Sequence, residues 1–221
     1  MNLRNHFKKA VYLFVFAGYV SAFAGSYEDF FVAIKQDDAP KVRQLLARGF
    51  DPNTIDPKGQ NGLYLALQEP SQKVAQVLAE WPKTNVNQLN ATGESVLMIA
   101  ALKGNEGAVN SLLRRGADVN KTGWAPLHYA ATGGHLAIMN QLLENHAYID
   151  ADSPNGSTPL MMAAMYGTPQ AVKLLVDAGA DPLIRNQQGL TAIDFARRAN
   201  RTESTELLAT AIRRKQATGK W

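Results

Sequence analysis

Two stretches of the chain carry the same text 33 residues apart. Ala125-Pro126-Leu127-His128-Tyr129-Ala130-Ala131 leads to Gly133-Gly134-His135 and Leu142-Leu143. Thr158-Pro159-Leu160-Met161-Met162-Ala163-Ala164 leads to Gly167, Leu174-Leu175 and Gly179-Ala180-Asp181. A self-similar period of this length restricts the chain to a stacked array, in which each unit has apolar faces that only a neighbour covers. Each position has a local job. Thr158 supplies a capping oxygen, and Pro159 fits the first helical position, where a missing N–H costs nothing. Leu160, Ala163 and Ala164 make a small apolar face at helical spacing. Gly167 permits the turn into a second helix carrying Val172, Leu174 and Leu175, and Gly179 ends that helix.

Aligning on the leucine anchor gives six units, at Phe30, Leu63, Leu97, Leu127, Leu160 and Ile193, with spacings of 33, 34, 30, 33 and 33. The period and the T-P-L-H-x-A text resemble the ankyrin-repeat family over nearly everything after residue 25. The resemblance implies an all-α solenoid of about six helix-turn-helix repeats with short β-hairpin fingers. It also implies non-catalytic binding of other proteins through the fingertips and the exposed edge of the inner helices.

The units depart from the pattern in informative places. The first, Ser26 to Asn53, is polar at Asp29, Lys35, Gln36, Asp37 and Asp38, as an end cap facing water must be. The second has Asn61-Gly62-Leu63-Tyr64 at the motif and no glycine at its end, where Trp81 and Pro82 are expected to close the helix. Three residues are missing between the third and fourth units, so Lys121-Thr122-Gly123-Trp124 should form a shortened finger with Trp124 beside it. Arg197, Arg198, Asn200 and Arg201 make the sixth unit a polar C-terminal cap. Residues 213–221 read as a short basic tail that frays, which bounds the repeat domain at 25–212.

Residues 1–24 read as a secretory signal peptide. Arg4, Lys8 and Lys9 precede an apolar run from Ala10 to Val20, too short for a comfortable membrane span, and Ala22-Phe23-Ala24 is an A-x-A cleavage site. The style of the segment is bacterial, so the expected location is the periplasm. Removing this segment also removes three cations, so the basic character of the whole chain misleads. Residues 25–196 hold 13 Lys/Arg against 17 Asp/Glu, and from Arg197 onward seven cations face two acids. A mildly acidic array with a basic end is not a nucleic-acid profile. With no cysteine, disulfides, thiol catalysis and cysteine-based zinc sites are excluded.

No motif for catalysis or metal binding stands out. His128 and His135 are explained by the repeat, where the family resemblance implies that the motif histidine bonds neighbouring loops. No HExxH, EF-hand loop, G-x-S-x-G elbow or G-K-[ST] phosphate loop occurs. The reading is therefore no enzyme, no metal and no cofactor. Family knowledge directs attention to the finger positions and the two positions after the paired alanines. Most are small or polar, but Leu102, Lys103, Trp124, Met165 and Tyr166 cluster in units three to five. Trp and Tyr are favoured anchors because they bury much area at little entropic cost. We expect a monomer that binds one partner protein through its concave face, with no nucleic acid and no membrane span after cleavage. An immunity protein neutralising a toxic secreted enzyme such as a phospholipase, and an exported effector, are the alternatives. A contact of the basic end with anionic lipid or an acidic protein is the weaker second surface.

Overall fold

The computed structural model describes residues 25–218; the expected signal peptide at 1–24 lies outside them. Twelve helices are described, two per unit. They are α1 (25–35), α2 (Ala39–Ala47), α3 (Gly62–Gln68), α4 (Gln72–Glu80), α5 (Val96–Leu102), α6 (Glu106–Arg114), α7 (Pro126–Gly133), α8 (Leu136–Glu144), α9 (Pro159–Met165), α10 (Pro169–Asp177), α11 (Ala192–Arg198) and α12 (Thr202–Thr218). From α3 onward the odd-numbered helices pack in sequence as an inner layer, and the even-numbered helices from α2 onward form the outer layer. The core between the layers is continuous from Phe30 to Leu208.

Local chemistry starts each inner helix. The side-chain oxygens of Asn61, Ser95 and Thr158 accept from the N–H three residues later, at 2.8, 3.3 and 3.4 Å. Ala125 has no such oxygen, and Pro126 at the first helical position takes part of that role. Gly62 replaces the proline in unit two because a Cβ there would stand 2.7 Å from the ring of Phe30, the fully buried anchor of unit one.

The fingers differ from the expected hairpins. No strand forms among the described residues, and only two isolated bridges, Ile55 with Asn61 and Leu89 with Ser95, are present. Each full-length finger is instead a tight turn closed by two backbone bonds, as from Asn90 N–H to the Glu94 carbonyl and from Gly93 N–H to the Asn90 carbonyl, both at 3.0 Å. An Asx or Ser side chain fills it: Asn90 Oδ1 also accepts from the N–H groups of Thr92 and Glu94. Such local bonds compete with a strand ladder. The shortened finger lacks this closure and lies against its neighbour, Gly123 facing Pro154.

The tail is also corrected. α12 runs 17 residues to Thr218 with no break at 212. Leu208 and Ala211 are buried, and Lys215 Nζ pairs with Asp181 Oδ2 at 2.5 Å. Burial of one face and this ion pair carry the helix past the boundary that charge alone had set.

Two devices tie units together. Asn53, Asn87 and Asn120 each donate their amide to a carbonyl that ends the next unit's outer helix, at Lys83, Gly116 and His146 (3.0, 3.2 and 2.7 Å). Each accepts in return from the N–H two residues further on, of Asn85, Asp118 and Tyr148. Asp150 takes the same place on the next rung and can only accept, from Asp181 N–H at 3.1 Å. The second device fills the missing glycine cap of unit two. The Arg115 guanidinium donates to the carbonyls of Ala79, Pro82 and Thr84 at 2.8, 3.1 and 2.8 Å. Trp81 does end α4, half-buried against the core.

Candidate partner-binding groove

Inside the motif, the position between the histidine and the paired alanines is occupied by Val32, Leu65, Ile99, Tyr129, Met162 and Phe195 in the six units. All six are apolar or aromatic. The anchor two residues earlier is buried in every unit, whereas this position is less completely covered in five of the six. Val32 is 50% exposed. Leu65, Tyr129, Met162 and Phe195 are half-buried against the core, and Ile99 is buried. Helices pack about 8–10 Å apart, so the row offers one apolar step per helix along the array.

The centre of the row is fixed by Glu94, at the end of the third unit's finger. Its Oε2 accepts from Tyr64 Oη at 3.0 Å, Asn90 Nδ2 at 2.9 Å and Thr92 Oγ1 at 2.9 Å. Its Oε1 accepts from Tyr129 Oη at 3.0 Å. Gln68 donates to the Tyr64 hydroxyl at 2.8 Å. One carboxylate therefore joins units two, three and four. Burial pushes the Glu94 carboxyl upward, but the bonds from Asn90, Thr92, Tyr129 and Tyr64 outweigh it and hold the group below its ordinary range. Burial and the Glu94 partner raise both phenols, Tyr64 and Tyr129. All three groups keep fixed protonation states at neutral pH, so the cluster positions side chains and has no group poised for proton transfer.

Trp124 stands beside this cluster. Its ring meets His128 edge-on at 5.3 Å between centroids and Tyr129 at 6.4 Å. It remains half-buried, so it both fills the space of the shortened finger and keeps a face toward solvent. His128 lies beneath, buried, with Nδ1 accepting from Ala125 N–H at 3.1 Å and Nε2 donating to the Ser157 carbonyl at 3.0 Å. Burial lowers its basicity against these backbone bonds. His135 Nε2 donates to the Leu102 carbonyl at 2.9 Å. Both histidines are thus spent on stacking. Among the described residues no cluster of three or more His, Asp or Glu is placed to hold a metal ion, and no helix is long and apolar enough to cross a membrane.

The expected patch divides along the helix axis. Trp124 precedes α7 at its finger end. Leu102 and Met165 close α5 and α9, and Lys103 and Tyr166 cap them. An eight-residue helix, such as α7, separates the two ends by about 12 Å. Leu102 and Met165 are half-buried, Lys103 is exposed, and Tyr166 is 52% exposed. Tyr129 and Met162 lie between the two ends, and sequence reasoning passed over them. The signal was present: an unconstrained motif position that is apolar six times in succession.

A family model described as ankyrin repeats (3 copies) matches residues 30–123, 81–153 and 127–217. The chain is 30% identical over 193 residues to the putative ankyrin repeat protein YahD of Escherichia coli, spanning 83% of this chain and 95% of that one. It spans only 15% to 36% of the length of four animal proteins that it matches at 29% to 32% identity. Two solved structures resemble it at 26% identity and cover 82% of it. One is the complex of the Bd0816 predatory endopeptidase from Bdellovibrio bacteriovorus with immunity protein Bd3460 (TM-score 0.71, 97% of the matched chain). The other is an ankyrin repeat domain from Acinetobacter baumannii (TM-score 0.70, 96% of that chain).

Proposed function

The chain belongs to the ankyrin-repeat family, whose fold is generally a non-catalytic interaction scaffold, and from that premise we propose that it is a binding protein of the bacterial envelope, without catalytic activity. It holds one partner protein in its concave groove and works as a monomer in the periplasm, where the N-terminal 24 residues direct it. The observation that carries the reading is the apolar row of Val32, Leu65, Tyr129, Met162 and Phe195, interrupted at the buried Ile99, with its central Tyr129 fixed by Glu94. Five positions left free by the stacking motif, Leu102, Lys103, Trp124, Met165 and Tyr166, widen the row at either end of the helices. Anchors of this kind supply most of the binding energy at protein interfaces.

The test is affinity capture of the full chain, tagged at its C-terminus, from its native host. Capture by the unaltered chain is compared with two variants, Tyr129→Ala/Met162→Ser and Trp124→Ala/Tyr166→Ala. One stoichiometric protein, lost with the first variant and weakened with the second, is the expected result. Equal recovery with both removes the groove as the binding face. Recovery from the cytoplasm alone, or a retained N-terminal segment, removes the periplasmic placement.

A second reading follows from the pairing of an endopeptidase with an immunity protein in the Bdellovibrio complex. In it the partner is a toxic secreted enzyme, such as a protease or phospholipase, that this chain neutralises. Loss of the captured enzyme's activity on adding the chain in equal amount would favour this reading over a protective or scaffolding role.

A further inference from the structure

The carboxylates and the cations along the groove are treated differently by the fold. In units three to six, Glu94 accepts from four side chains. Asp194 accepts from Thr191 N–H and Oγ1 at 2.9 and 2.7 Å. Asp152, exposed ahead of the fifth finger, is the acid there without such donors. Of the cations, Lys103, Arg198 and Arg201 are exposed and Lys121 is half-buried. Lys103 and Arg198 are exposed at the groove ends of α5 and α11. Lys121 in the short finger reaches only the Thr122 carbonyl at 3.2 Å, and Arg201 only the Tyr166 carbonyl at 3.5 Å. The ion pairs among the described residues, Lys41 with Asp29, Lys173 with Asp177 and Lys215 with Asp181, engage none of these four.

Residues 25–196 are net acidic, with 13 cations against 17 acids. The groove of the C-terminal half reverses that balance beside its apolar row. We propose that the segment it holds is acidic as well as apolar: Asp or Glu side chains meet Lys103, Lys121, Arg198 and Arg201 while apolar side chains cover Tyr129, Met162 and Phe195. The proposal rests on the groove being the binding face. Internal donors already satisfy Glu94 and Asp194, so those acids offer a cationic partner little, whereas each of the four cations lacks a carboxylate. Complementary rim charges of this kind govern encounter rate and choice of partner more than final affinity, and salt screens them.

The test uses two fluorescein-labelled peptides of about 15 residues, long enough when extended to cross five helix spacings of roughly 9 Å. Both carry the same Leu and Phe pattern; one has Glu and the other Lys at every remaining position. Fluorescence anisotropy measures binding to the full chain at low and at physiological salt. The Glu peptide is expected to bind roughly tenfold more tightly than the Lys peptide. Salt should narrow that gap, and Lys103→Glu/Arg198→Glu should abolish it. Both replaced residues are exposed, and Lys103→Gln/Arg198→Gln serves as a second, milder pair. Equal binding of the two peptides, lost with Tyr129→Ala/Met162→Ser, would overturn the acidic segment and leave the groove standing. Binding indifferent to those groove variants but lost with Arg213→Gln/Arg214→Gln would overturn both, moving the attraction to α12. Failure of the Glu peptide to bind also overturns the acidic segment.

Discussion

The hydroxyl of Tyr129 donates to the carboxylate of Glu94, 35 residues earlier, at 3.0 Å. Through the same carboxylate Tyr129 is joined to Tyr64, one unit further back. Replacing Glu94 by Ala leaves two phenols and the Asn90 amide without their acceptor, while Thr92 keeps Asn90 Oδ1, and should destabilise the fold by about 2 kcal/mol. Glu94→Gln, which keeps one acceptor oxygen, should lose less. Denaturant unfolding of both variants checks this.

The same group sets a pH dependence. The folded carboxyl of Glu94 lies below its unfolded value, so its contribution is complete above the ordinary carboxylate range and is lost as pH falls through the folded value. His128 adds to this from higher pH. Its folded pKa is depressed below 6.5, so its contribution is present above that value and fades as acid forces the buried ring to charge. Melting temperature followed from pH 7 downward should fall in wild type, and Glu94→Gln should flatten the acid limb.

Asp150 works in the opposite direction. Burial, aided by the charge of Asp181, raises its carboxyl above the ordinary range, so it costs stability once pH rises through the folded value. It also lacks the amide that Asn53, Asn87 and Asn120 give to the next unit. Asp150→Asn should therefore stabilise the array by about 1 kcal/mol at neutral pH. The electrostatic part of that gain should vanish below the unfolded carboxylate value, leaving only the new amide bond. Thermal melts at pH 7 and in acid separate the two parts.

His146 occupies the place at which Gly116 and Gly179 end the neighbouring outer helices, and it shares their positive φ, at 66° against 77° and 102°. A side chain is strained there. His146→Gly should stabilise by about 1 kcal/mol, and the change should leave partner capture intact because the residue closes an outer helix. An unchanged or lowered denaturation midpoint would contradict the strain argument.

Arg115→Ala removes the donor that serves three carbonyls at the end of α4. A loss of about 2 kcal/mol is expected. Hydrogen exchange should rise first around residues 79–84, which tests the location as well as the size of the effect.

Repeat length, anchor positions and caps were legible in the sequence because they depend on neighbours three or four residues away. The groove was legible in part. Trp124 and Tyr166 stand out by size, but the row through Tyr129 and Met162 shows only when the units are laid over one another at the one position the motif does not specify. The clasp at Glu94 and the reach of Arg115 were not legible. Their partners lie 30 to 36 residues away, and contact depends on the angle at which one unit stacks on the next. The tail was misjudged for a related reason: its charge was plain, while the Asp181 that pairs with Lys215 sits one unit back.

The rungs at Asn53, Asn87, Asn120 and Asp150 bear on how long such a molecule can become. At the next equivalent position stands Leu183, 39% exposed, whose side chain can neither donate nor accept. A duplicated unit inserted ahead of Asn120 would inherit a complete rung on both sides. The sixth unit docks on the fifth across Leu183 without one, held by the packing of α11 and α12 on α9 and α10. A copied unit from the first half of the array therefore brings its own register, whereas a copy of the sixth would rely on apolar packing alone.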